Sequence, residues 1–135
     1  MKAELAALAR HRMSRAREAL AEGDHLLTKG SPRGAVNRFY YAAFYAARAL
    51  LATREVDSSK HSGVISLFQT HFVKSGLISP NNAKALPRSF EKRQDTDYGD
   101  FAVVTPEEAQ RIRQECCAFL EECAQTLDRL IAGEA

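Results

Sequence analysis

At 135 residues, with 45% apolar and 27% charged residues, the chain fits a single domain (residues 1–135) and falls outside the composition of disordered or low-complexity proteins. No stretch has the length and apolarity of a membrane-spanning helix, and Arg10, His11, Arg12, Arg15 and Arg17 interrupt the region where a signal core would lie, so a cytoplasmic location is expected. Net charge is only +2 but unevenly spread: Lys and Arg outnumber Asp and Glu over residues 1–60 and are outnumbered over 101–135, a bias that suits either nucleic-acid attraction or a solvated helix face.

The elements read as helices throughout. Leu5, Leu8, Met13, Ala16, Leu20 and Leu27 recur at helical spacing, and Gly30 offers a C-terminal stop. Ser31-Pro32 supplies a cap followed by proline at the first helical position. The second helix carries Val36, Phe39, Tyr40, Ala43, Ala47, Leu50 and Leu51 on one stripe and Arg38, Tyr41, Tyr45 and Arg48 on another. Alanines at 42, 43, 46, 47 and 49 would let neighbours approach closely, which makes this the central helix.

A loop around Asp57, Ser58 and Ser59 leads to a third helix with Val64, Leu67, Phe68, His71 and Phe72, closed by Gly76. Ser79-Pro80 starts a fourth, in which Pro87 predicts a kink or split. Thr105-Pro106-Glu107-Glu108 has the form of a capping box. It opens a last helix whose Ala109, Ile112, Cys116, Phe119, Cys123, Leu127 and Leu130 trace a heptad seam. Cys116 and Cys123 therefore read as small buried side chains rather than ligands or disulfide partners. Short connections predict an all-α, up-and-down five-helix bundle. The seam and the two-faced second helix together predict a homodimer that covers surplus apolar surface.

Standard catalytic arrangements are missing. The chain has no P-loop, no GxGxxG and no HExxH, and His11, His25, His61 and His71 lack metal-ligand spacing, so neither a metal nor an organic cofactor is expected. Three polar groups stand out. In the segment 92–100, Arg93 lies one turn before Asp97, with Tyr98 and Asp100 following as the helix ends. That pattern fits a surface ion pair, or an arginine whose planar fork grips a phosphate while Asp97 and Asp100 orient it and Tyr98 adds a hydrogen bond. Lys60-His61-Ser62-Gly63 opens the third helix, where backbone N–H groups attract anions and His61 titrates near neutrality. Arg38-Phe39-Tyr40-Tyr41 with Tyr45 on the second helix offers either core beneath a snorkelling arginine or a tyrosine, Tyr41 with Arg38 beside it, on which a base stacks.

Three ordered blocks, AVNRFYYAAFYAARALL, KHSGVISLFQTHFVKSGL and RQDTDYGDF, together resemble a compact HEPN domain (higher eukaryotes and prokaryotes nucleotide-binding) over roughly residues 5–130. The resemblance implies a dimerising five-helix bundle, encoded beside a minimal nucleotidyltransferase in toxin–antitoxin-like pairs, and in many members a metal-independent RNA endonuclease. The family's signature is an arginine, four to six residues, then a histidine. Carried over, the arginine is Arg93, and Tyr98 stands in the histidine's place. A tyrosine with an ordinary pKa of about 10 is a poor base at neutral pH. Either His61 supplies the imidazole, making Arg93, Tyr98 and His61 the catalytic candidates, or this branch binds a nucleotide or RNA phosphate without cutting and is controlled by a nucleotidyltransferase that modifies Tyr98.

Overall fold

The computed structural model describes residues 1–133, and every regular element among them is helical. The elements are α1 (Ala3–Thr28), α2 (Pro32–Ala52), α3 (His61–Phe68), α4 (Pro80–Ala83), α5 (Ala85–Tyr98) and α6 (Pro106–Ile131). They form the expected five-helix bundle, with the third and fourth helices each broken. Helix α2 runs through the middle and packs on α1, α3, α5 and α6. Its alanines at 42, 43, 46, 47 and 49 are fully buried, so the neighbouring backbones come close, and Phe39, Tyr40, Leu50 and Leu51 fill the space between them. From Ala35 to Ala52 the residues of α2 that are not buried are Asn37, Arg38, Tyr41, Tyr45 and Arg48. At 1.5 Å per residue, Arg38 and Arg48 stand about 15 Å apart along that single line.

Several expected details shift, each for a local reason. On α1 the core face is Ala9, Met13, Ala16, Ala19 and Gly23, while Leu8 is exposed and Leu20 and Leu27 are half-buried. The large side chains of α2 point into α1, so α1 answers with small ones. A Cβ on Gly23 would sit 2.4 Å from Cε1 of Phe39. Ser31 stands at the N-cap of α2, but its hydroxyl makes no capping bond. The third helix continues past Phe68 as a π-helical turn, Gln69–Val73, before Gly76 ends it at φ +82°. The fourth helix does split, but at Lys84 instead of Pro87. Pro87 is the third residue of α5, where an N–H would have no helical partner, so its ring is tolerated. Helix α4 is pinned to α6 by Glu122, which accepts from the Ser79 N–H (2.8 Å), the Ser79 hydroxyl (2.9 Å) and Asn82 Nδ2 (2.8 Å).

The Thr105–Glu108 capping box forms as expected, and Lys92 pairs with Glu108 at 2.8 Å to tie α5 to α6. Cys116 and Cys123 are fully buried and unpaired. Burial pushes the Cys116 thiol up to about 12, so it is inert at neutral pH. The heptad seam from Ala109 to Leu127 is buried within the chain itself. Leu130, the last member of the seam, is half-buried, so the seam itself offers little apolar surface to a second copy. The exposed large apolar side chains are instead Met1, Leu8, Tyr98, Phe101 and Val103.

The close approach of Gly23 to Phe39 makes a prediction opposite in sign to helix propensity. Alanine at an open helical glycine stabilises by about 1 kcal/mol. At position 23 it overpacks a rigid buried ring, and Gly23→Ala is expected to destabilise by about 1–2 kcal/mol, read as a lower denaturation midpoint with an unchanged slope.

Candidate functional site

The site is built where the open line of α2 meets the first residue of α3 and the last turns of α5. Helical spacing on α2 sets Tyr40 and Phe44 one above the other, with Tyr41 and Tyr45 beside them. His61 enters as the first residue of α3. Its ring lies flat on Phe44 (centroids 4.4 Å, 11° between planes) and near Tyr40 (5.6 Å), Tyr41 (6.0 Å) and Phe90 (6.0 Å). The turn that delivers it is tight. A Cβ on Gly63 would fall 2.1 Å from the Ser58 hydroxyl oxygen, so glycine is required for the loop to fold over the start of α3.

Helix α5 brings Arg93 over the same rings. Its guanidinium carbon lies 5.4 Å from the Tyr40 centroid and 5.2 Å from that of Tyr41, within cation–π range. The side chain is 19% exposed, and its Nε stands 3.3 Å from Asp97 Oδ2. That contact is Coulombic only, because the buried Nε has no aligned hydrogen-bond acceptor. Arg33, from the first turn of α2, donates to the carbonyls of Thr96 and Gly99 and so closes the C-terminus of α5.

Electrostatics and hydrogen bonding set the state of the imidazole. Burial, and then the positive charges of Arg93 and Arg48, hold His61 below the usual histidine value of 6.5. It is neutral at pH 7. Burial raises the Tyr40 phenol far above its ordinary range, with Arg93 only partly opposing, so the phenol keeps its proton. The two meet at 2.5 Å, Tyr40 Oη to His61 Nδ1. No other described residue accepts from the Tyr40 hydroxyl, so the network assigns the phenol as donor to Nδ1 and leaves Nε2 carrying the imidazole hydrogen. In that state His61 presents a donor, suited to an anionic oxygen. To act as a base it would have to adopt the other tautomer, with Nδ1–H donating to the phenol oxygen.

The structure thus gathers Arg93, His61, Tyr41 and Arg38, the last with its guanidinium carbon 5.3 Å from the Tyr41 centroid and paired to Glu22 at 2.9 Å. Asp97 touches Arg93 and, among the described residues, no other side chain of the site. Lys60 is exposed at the N-cap of α3, with its ammonium unpaired among the described residues. Tyr98 and Asp100 are not brought to Arg93. Tyr98 lies five residues on, about 140° round the helix, and is 79% exposed; Asp100 is in the loop beyond. Sequence reasoning read Tyr40 as core or at most as one of a group of stacking tyrosines, not as a partner for His61. The available signal was a tyrosine on a buried stripe, whose hydroxyl must find a partner. Nothing in the sequence pointed to Phe44 and Phe90 as the floor under His61. No group of acidic, histidine or cysteine side chains that could hold a metal occurs among the described residues, and no helix among them is long and apolar enough to cross a membrane.

Comparison with known proteins places the chain in a family. The chain is 36% identical over 116 residues to a UPF0332 protein of Thermotoga maritima, covering 86% of this chain and 88% of that one. Two proteins of Methanocaldococcus jannaschii, each named "Putative toxin", are also similar. One is 35% identical across 73% of both chains, and the other 29% identical across 90% of this chain and 84% of its own. A family model for the HEPN domain matches residues 9–127, from the first turns of α1 to the last turns of α6, and the chain belongs to the HEPN domain family.

Proposed function

We propose that this protein is a nucleotide- or RNA-phosphate-binding HEPN module, acting in a toxin–antitoxin-like pair with a minimal nucleotidyltransferase as its partner. The observation that carries the reading is Arg93: a partly exposed guanidinium laid over Tyr40 and Tyr41, held by Asp97 through Coulomb attraction alone, whose terminal Nη groups make no hydrogen bond among the described residues. A phosphate oxygen completes such a fork. His61 Nε2–H supplies a second donor from the neighbouring helix, and Tyr41 lies between them, under the guanidiniums of Arg93 and Arg38. Relatives named as toxins favour the paired arrangement. The exposed Tyr98, Phe101 and Val103 form the surface on which this reading seats the nucleotidyltransferase, with the Tyr98 hydroxyl open to modification. Homodimerisation across this site belongs to the same proposal.

A second reading, a metal-independent RNA endonuclease, is favoured by one specific observation: an imidazole stands beside Arg93 although the signature position holds Tyr98. It requires the other His61 tautomer, with Nε2 free to take the 2′-hydroxyl proton and Arg93 balancing charge on the phosphorus oxygens. The resting network favours the donor tautomer, which ranks binding ahead of cleavage.

Two measurements separate these readings. Arg93→Ala is expected to keep the fold and to weaken binding of a short single-stranded RNA by about ten- to a hundredfold, the weight of a charge-assisted hydrogen bond; equal affinity removes the binding reading. Incubation with RNA in EDTA should leave the RNA intact. Cleavage by the wild type that disappears in Arg93→Ala and His61→Ala would establish the ribonuclease instead. A pH dependence also follows. A bound phosphodiester raises the depressed pKa of His61, so RNA affinity should rise as pH falls from about 7.5 to about 5.5, and His61→Gln should flatten the profile.

A further inference from the structure

A second cationic cluster adjoins Phe44, the ring on which His61 stacks. Arg48, at the end of the open line of α2, places its guanidinium carbon 5.9 Å from the Phe44 centroid, on which His61 stacks. Its Nη2 donates to Asp57 Oδ2 at 2.9 Å. Arg12 crosses from α1 to the same oxygen at 3.5 Å and donates through Nη1 to the Arg48 carbonyl at 3.0 Å. Both arginine side chains are largely buried, 15% exposed for Arg12 and 26% for Arg48.

The charges do not balance. One carboxylate serves two guanidiniums, and the buried Nε of Arg48 has no acceptor at all. Burial and the neighbouring charge of Arg48 pull Arg12 below the ordinary arginine value, with Asp57 only partly offsetting them. Asp57, by contrast, belongs to the loop after α2. It is 46% exposed, and its other oxygen accepts only the adjacent Ser58 N–H at 2.8 Å. A largely buried, under-neutralised arginine pair is therefore covered by a carboxylate on a solvent-facing loop. Between this pair and Arg38 run Tyr41 and Tyr45 (centroids 5.9 Å), and Arg15 of α1 lies over Tyr45 at 4.9 Å.

We propose that Arg12 and Arg48 form a second phosphate subsite beside the Arg93–His61 site, held in the free protein by the Asp57 carboxylate, and that the next phosphate of a single-stranded nucleotide chain displaces Asp57 to bind there. The inference rests on the reading of Arg93 as a phosphate site and adds to it a minimum ligand: two successive phosphates, with Tyr41 and Tyr45 lining the surface between them. Asp57 acts as an internal competitor. It keeps two like charges together in the absence of ligand and sets a threshold that a single phosphate does not cross.

The test compares AMP with the 5′-phosphorylated dinucleotide pApA by calorimetric titration at fixed salt, reading the ratio of affinities within each protein. In the wild type pApA should bind about tenfold or more tighter than AMP, and Asp57→Asn should widen that ratio by about tenfold again. Arg48→Ala should bring it close to one. A wild-type ratio near one, or a ratio that Asp57→Asn leaves unchanged or narrows, overturns the subsite while leaving Arg93 untouched. If neither ligand binds the wild type, the Arg93 reading fails and the subsite falls with it. Should Asp57→Asn not fold, the wild-type and Arg48→Ala ratios decide the question alone.

Discussion

The enclosure of α2 governs the rest of the molecule. A helix with alanines at 42, 43, 46, 47 and 49 lets its neighbours pack against its backbone, and they cover it on all sides but one. Polar side chains on such a helix can emerge only along the uncovered line, so Arg38, Tyr41, Tyr45 and Arg48 are aligned by exclusion. The neighbouring helices then add their own polar groups at the same opening: Arg12 and Arg15 from α1, His61 from α3, Arg93 from α5. Close packing thus concentrates cations and rings on one face of a chain whose net charge is only +2.

Desolvation gives that face its chemistry. Tyr40 is fully buried, and its phenol stays protonated and bonded to the one acceptor within reach, His61. Burial, and then the charges of Arg93 and Arg48 nearby, keep the imidazole neutral. Arg93 and Arg48 in turn lie over apolar ring faces, where their charge is less screened than in water and their Nε atoms lack acceptors. Such a surface is short of anions. Asp57 and Asp97 supply part of the deficit, one from a loop and one along a helix, and neither satisfies its arginine fully.

Periodicity and punctuation made the helices legible, because the signals were local: Gly30 and Gly76 at positive φ, the Thr105–Glu108 capping box, the seam of α6. Where the outcome depended on a neighbour, the sequence was less informative. Leu8 looked like core, but α1 turns Ala9, Met13, Ala16, Ala19 and Gly23 inward instead, and Pro87 looked like a break until the start of α5 at Ala85 made it a first-turn proline. The α6 seam reads the same whether the chain or a second copy covers it, and the chain covers all of it but half-buried Leu130. Arg93 and His61 could each be singled out from residue type and position, but their proximity could not, since it depends on α2 lying between α3 and α5. Tyr40 was hidden for the same reason. An apolar stripe does not reveal that one of its members carries a hydroxyl aimed at a histidine 21 residues away.

The central claim is that Arg93 and His61 form one electrostatic unit across Tyr40. The most direct measurement is the His61 pKa from imidazole NMR in the wild type and in Arg93→Gln. The account predicts a wild-type value below 6.5 that moves upward when the guanidinium charge is removed, since one of the charges opposing protonation is gone. A value that does not move would contradict it, and would leave Arg93 and His61 as separate features of the same surface.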